Sequence, residues 1–233
     1  MNRASLFLSL LPRTRCRIAL LLALAAPIAG AQQAPEVPDA SPAERLVFLA
    51  PHLAGLKAPS ILRYQFARTD TNEAGAFNDR VELKLARGKA SPCCAVSGSF
   101  LSGAHTMLLP EVDDAHANPV VMYMLEYDVR QLEKSYPGKS AYFRKRIRQA
   151  LVDAATVGST TVRWNGQDVT AATVQISPFV NDPNRGRFER DARKTYTFVV
   201  SEAVPGQVFQ IRTTWPGATP GTNTVEETLT LKP

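Results

Sequence analysis

Two hydrophobic periods divide this chain. Leu62, Tyr64 and Phe66 alternate with Arg63, Gln65 and Ala67, and Val81, Leu83 and Leu85 alternate with Arg80, Glu82 and Lys84. A period of two places every second side chain on one face, so each run predicts a strand with one buried side. Two further apolar strands are expected at Cys94 to Leu101 and Ala104 to Leu109, with a turn over Thr69 to Ala76. The period then lengthens. Asn118-Pro119 is a cap followed by a first-turn proline, and Val121, Leu125, Val129 and Leu132 recur at helical spacing as far as Lys134. Pro137-Gly138 breaks this helix, and a second one runs from Ser140 to about Ala154, with Phe143, Ile147, Ala150, Leu151 and Ala154 on one face. The short link predicts an antiparallel helical hairpin.

Strands return after the helices. Asn165-Gly166, behind Val162 and Trp164, is a two-residue hairpin signal, because both residues tolerate the positive φ of a type I′ turn. Val174 and Ile176 fall on the returning strand. Tyr196, Phe198 and Val200 alternate on another, Phe209 and Ile211 on the next, and Val225, Leu229 and Leu231 on the last. Ahead of all these, Ser41-Pro42-Ala43-Glu44 spells a capping box with proline at the first helical position, and Pro51 stops the short helix it opens.

The order is short helix, about four strands, helix pair, about five strands. It predicts an α+β fold over residues 41–233, a single domain. Its curved antiparallel sheet of about nine strands, an open or incomplete barrel, is covered by the central αα-hairpin and the short N-terminal helix. This element order resembles the incomplete barrel with a helical lid of periplasmic lipoprotein carriers. The resemblance implies a ligand held between sheet and helices.

Composition changes the picture mainly at the N-terminus. Arg3, Arg13, Arg15 and Arg17 form an acid-free basic region, Ile18 to Ala26 is an apolar run too short to span a bilayer, and Ala29-Gly30-Ala31 is a small-x-small cleavage site. Residues 1–31 therefore read as a removed export signal, and the Pro-rich stretch 32–40 as a flexible mature N-terminus. No cysteine follows the cleavage site, so the pattern is not that of a lipid anchor. The expected product is soluble and periplasmic. The whole chain carries 27 Lys and Arg against 21 Asp and Glu, but four of the arginines lie in the signal, which lowers the net charge from +6 to +2. That removes the basic excess a nucleic-acid reading would need.

Chemistry is sparse. Gly98-Ser99-Phe100-Leu101-Ser102-Gly103 misses the G-x-S-x-G elbow by one residue, and no zincin, P-loop or dinucleotide motif occurs. Glu126 and Asp128, two apart on a helix, do not face the same way. No catalytic group and no cofactor is assigned. The adjacent Cys93 and Cys94 allow two free thiols, one toward the core and one at a turn after Pro92, or a vicinal disulfide able to act as a redox switch. With His105 and Met107 they border a conceivable soft-metal site, such as one for copper. Arg144 and Arg148 flank the apolar face of the second helix. They suit either an anionic headgroup at a cavity mouth or ion pairs with Glu126, Asp128 and Glu133. Asp182 to Lys194 is a dense mixed-charge loop.

These features lead to an exported, non-catalytic binding or carrier protein for an apolar, lipid-like ligand. The ligand is expected near Tyr64, Phe66, Phe143, Phe198 and Phe209, with Arg144 and Arg148 at the mouth. The alternatives are an envelope assembly factor that binds a protein partner, for instance through the 182–194 loop, and an enzyme of unrecognised class.

Overall fold

The computed structural model describes residues 40–70, 75–89, 93–216 and 224–233. The expected export signal and nearly all of the flexible N-terminal stretch lie outside the described residues. Chain order begins with α1 (Pro42–Glu44), which runs on as a π-helical turn over Arg45–Leu49. The capping box is formed: the Ser41 hydroxyl accepts from the Glu44 N–H at 3.1 Å, and the Glu44 carboxylate accepts from the Ser41 N–H at 3.0 Å.

Among the described residues nine strands make one open antiparallel sheet. They are β1 (Ser60–Asp70), β2 (Phe77–Ala86), β3 (Ala95–Phe100), β4 (Met107–Leu108), β5 (Thr156–Trp164), β6 (Gln167–Ile176), β7 (Thr195–Val200), β8 (Val208–Pro216) and β9 (Thr224–Leu231). Their spatial order is β4-β3-β2-β1-β9-β8-β7-β6-β5. Consecutive strands are neighbours in space except β4 and β5, which form the two edges of the sheet, and β9 joins the two halves by pairing with both β1 and β8. Between β4 and β5 the chain forms α2 (Val120–Ser135) and α3 (Ser140–Asp153). This is the expected α+β class: the helical hairpin and α1 cover one face of the sheet.

The alternating patterns give the core directly. Leu62, Tyr64 and Phe66 of β1 and Val81, Leu83 and Leu85 of β2 are buried, as are Val174, Ile176, Tyr196, Phe198, Ile211, Val225, Leu229 and Leu231. Helix α2 meets the sheet through Tyr127, whose ring lies 5.6 Å from Phe66 and 5.4 Å from Phe100. Asn165 and Gly166 both take positive φ, 47° and 80°, as the two-residue hairpin turn requires.

Three local expectations change. The strand anticipated over Ala104 to Leu109 is only the two residues of β4, because Gly103–His105 closes a 3₁₀ turn first. Ala154 caps α3 and is exposed rather than part of its buried face. On β8 the register slips: Val199 pairs with Gln210 but Val200 pairs with Val208. The resulting β-bulge puts Phe209 out of the alternation. It is half-buried, and Val208 is the residue that is fully enclosed.

Candidate functional site

A groove of about 750 Å³ lies on the helical layer, among the π-turn after α1, the loop 110–119, α2 and α3. Its trough is apolar, formed by Val47, Phe48, Val121, Leu125, Val129 and Ile147. The stripe Val121–Leu125–Val129 read from the sequence is thus the groove-facing side of α2, while Tyr127 and Asp128 meet the sheet.

The groove walls are fixed by hydrogen bonds. The loop 110–119 is laced to β3 by paired backbone bonds between Val96 and Val112, 2.8 and 2.9 Å, and Ala115 N–H donates to the Cys94 carbonyl at 2.8 Å. Tyr123 of α2 donates its hydroxyl to the Pro110 carbonyl at 3.1 Å. At the head of α2, Asn118 is buried with its side chain fully engaged. Its Nδ2 donates to the Tyr64 hydroxyl at 2.8 Å and to the Gly206 carbonyl at 2.9 Å, and its Oδ1 accepts from the Val120 N–H at 3.1 Å.

His52 joins this wall to the π-helical turn that follows α1. Its Nε2 lies 2.8 Å from the Leu46 carbonyl and its Nδ1 accepts from the Asn118 N–H at 3.2 Å, an arrangement that fixes the neutral Nε2–H tautomer. The ring is buried, and burial lowers its pKa below the ordinary histidine value although the bond to Leu46 opposes this. A lowered folded pKa means stability that is present above the unfolded value, near pH 6.5, and lost as pH falls through the folded one. The stability of the wild type relative to His52→Gln is therefore expected to fall on going from pH 7.5 to 5, read by urea denaturation. The paired comparison cancels the carboxylates that titrate in the same range. A difference independent of pH would show that His52 acts only by its shape.

The expected site residues divide. Arg144 and Arg148 both line the groove. Tyr64, Phe66, Phe143 and Phe198 are buried in the core, beneath and beside it, and Phe209 sits at the bulge. Arg144 clasps Glu126 in a bidentate pair, Nε to Oε2 at 2.9 Å and Nη2 to Oε1 at 2.8 Å, and Arg130 adds a contact of 3.2 Å to Oε1. The guanidinium of Arg144 holds the Glu126 carboxyl below its usual range, despite partial burial. Cys93 and Cys94 are joined to each other as a vicinal disulfide across a cis peptide. His105 is exposed and stacks on Phe77 at 4.0 Å, while Met107 is buried in the core. Among the described residues no three His, Cys, Asp or Glu side chains gather in a metal-binding group.

A second cluster was missed by sequence reasoning. Glu227 of β9 is buried between Thr213 of β8 and Arg68 of β1, its cross-strand neighbours. It accepts from Arg68 Nη1 at 2.5 Å and from Thr213 Oγ1 at 3.3 Å. Beside it, Asp128 of α2 receives the Lys194 ammonium on one oxygen and the Tyr196 hydroxyl on the other. Lys194 Nζ also stands 3.9 Å over the Trp215 ring. Nearby Asp191 accepts from the Tyr136 hydroxyl at 2.7 Å. Burial raises the Glu227 and Asp191 carboxyls. For Lys194 burial pulls downward, but the carboxylates of Asp128, Glu227 and Asp191 outweigh it and hold the ammonium above its usual value. The signal was present: Glu227 falls in phase with Val225 and Leu229, and Asp128 stands one helical turn from both Leu125 and Leu132.

The mixed-charge loop turns inward at Asp182 and Asp191. Asp182 accepts from Tyr142 at 2.6 Å and pairs with Arg146 at 2.7 Å. No helix among the described residues is long and apolar enough to cross a membrane. No protein-family model matches the chain, and no curated protein matches it. Among solved structures the chain is similar to the lipoprotein LppX of Mycobacterium tuberculosis, with a TM-score of 0.33 and 12% identity, over 75% of this chain and 86% of that one.

Proposed function

We propose that this protein is an exported carrier that holds an apolar, lipid-like ligand in the groove between α2, α3 and the loop 110–119. The observation that carries the reading is the groove itself: about 750 Å³, apolar along its length, with polar groups confined to its margins. Ligand sites of roughly 300–1,000 Å³ with apolar walls and a few convergent polar groups have this character. The ligand then lies on the outer side of the helical hairpin, one layer above the place expected from the sequence. Beneath it the aromatic side chains of sheet and helices fill the space.

Native mass spectrometry of the protein purified from its exported fraction tests the reading. A retained mass that extracts into organic solvent is the expected result. Ala117, half-buried in the groove wall, offers a plug: Ala117→Trp is expected to abolish the retained mass while leaving the melting temperature within a few degrees. A bare protein in every preparation, with no uptake of added long-chain alcohol or acid, would remove the carrier reading.

A further inference from the structure

We infer that the ligand of this groove is an amphipath with an anionic head, a carboxylate or a phosphate, and that Arg148 binds that head. The inference rests on the carrier reading and adds the chemistry of the ligand's polar end.

Arg144 and Arg148 stand one helical turn apart on α3, and both reach the groove margin. Their situations differ. Arg144 is committed: its fork is spent on the two oxygens of Glu126. Arg148 is exposed and has no ion-pair partner among the described residues. The acid that lines the groove on that bank, Glu126, is already matched by two guanidiniums, those of Arg130 and Arg144. Glu133 also acts on Arg144, so Glu126, Glu133, Arg130, Arg144 and Arg148 leave a net charge of +1 on the helical bank. The ionisable groups on the loop bank are Asp114 and His116. An anion entering the groove is thus drawn to the α3 side and away from Asp114.

An unpaired surface arginine is ordinary by itself. What distinguishes Arg148 is that the apolar trough of Val121, Leu125, Val129 and Ile147 opens beside it. An alkyl chain lying in that trough would deliver its head to a planar guanidinium whose donors match a carboxylate or phosphate two at a time. Glu126 fills the competing site on Arg144, so the head has one place to bind.

The test measures binding to the delipidated exported protein of four probes with one chain length: palmitate, hexadecyl phosphate, hexadecanol and methyl palmitate. Acetate and inorganic phosphate serve as heads without chains. The expected result is that one or both anionic probes bind about tenfold or more tightly than the neutral ones. That advantage should shrink with added salt and vanish in Arg148→Gln, while hexadecanol affinity stays unchanged. Arg148→Lys should keep part of the advantage, as a point charge without the fork. The ranking of palmitate against hexadecyl phosphate tells which head is preferred. Equal affinity for charged and neutral probes, or an advantage that survives Arg148→Gln, overturns this inference and leaves the carrier reading standing. No binding of any long-chain probe overturns both, and binding of acetate or phosphate as tight as that of the chains shows an anion site without a carrier.

Discussion

Lys194→Met is expected to destabilise the fold by about 3–5 kcal/mol, the usual consequence of removing one partner from a buried charge pair. Lys194 and Asp128 are both almost fully enclosed, and Lys194 is the only cation other than Arg68 in contact with the carboxylates of Asp128 and Glu227 among the described residues. Without it Asp128 keeps only the Tyr196 hydroxyl, and Arg68, paired with Glu227, is the one cation left in contact with either carboxylate among the described residues. Methionine preserves most of the aliphatic stem, so the loss reports charge rather than volume. Urea denaturation supplies the measurement, and pH supplies the control. Burial raises the Glu227 and Asp191 carboxyls and Lys194 opposes that rise, so in the variant their protonation restores stability as pH falls. The gap between wild type and variant is therefore expected to be smaller at pH 5 than at pH 8. A gap that does not change with pH would mean that Lys194 matters for packing against Trp215, 3.9 Å from its ammonium, and not for its charge.

Asn118→Ala is expected to cost about 3 kcal/mol or more, since it strands three buried partners and each unsatisfied group costs roughly 1–3 kcal/mol. Those partners are the Tyr64 hydroxyl, the Gly206 carbonyl and the Val120 N–H at the start of α2. Their residues come from a core strand, the turn ahead of β8 and the central helix, so one amide joins three elements. Gly206 makes the approach feasible. It has φ +68°, and a Cβ there would stand 2.8 Å from Asn118 Nδ2 and 2.6 Å from Leu62 Cδ1. Asn118→Asp is expected to fare no better, because a carboxylate keeps the acceptor for Val120 but cannot donate to the Gly206 carbonyl. Thermal unfolding of both variants checks this. A loss below 1 kcal/mol in Asn118→Ala would show that water takes over the amide's role.

The elements that proved legible are those whose signal is local. The capping box, the Asn165-Gly166 turn, the inward alternation of β1 and β2 and the two helices all rest on residues within a few positions of each other. Of the residues expected around a ligand, Arg144 and Arg148, read from an apolar helix face, line the groove. Tyr64, Phe66, Phe143 and Phe198 lie in the core instead, because a stripe on α2 does not say whether it meets the sheet or the neighbouring helix. Glu227, Asp128 and Lys194 stayed hidden for a related reason. Each is a charge at a position its neighbours mark as interior, and its justification is a partner far away in sequence. Phe209 was misassigned because a bulge has no periodic signature of its own; it is visible only in the pairing of Val199 and Val200 with β8.

The place of β9 in the sheet has a consequence for how the molecule comes into being. β9 lies between β1 and β8, with Tyr64 opposite Leu231 and Gln210 opposite Thr230. Before that strand arrives, the earlier strands form two separate ribbons with nothing to join them edge to edge. Their union requires contacts between distant parts of the chain, which close slowly and last. Synthesis therefore delivers the keystone after the other eight described strands, and until then a growing chain has no complete ladder to lock into. On the export reading proposed above, that delay is an advantage in transit: a polypeptide that cannot join its two ribbons until β9 is available stays threadable through a narrow pore.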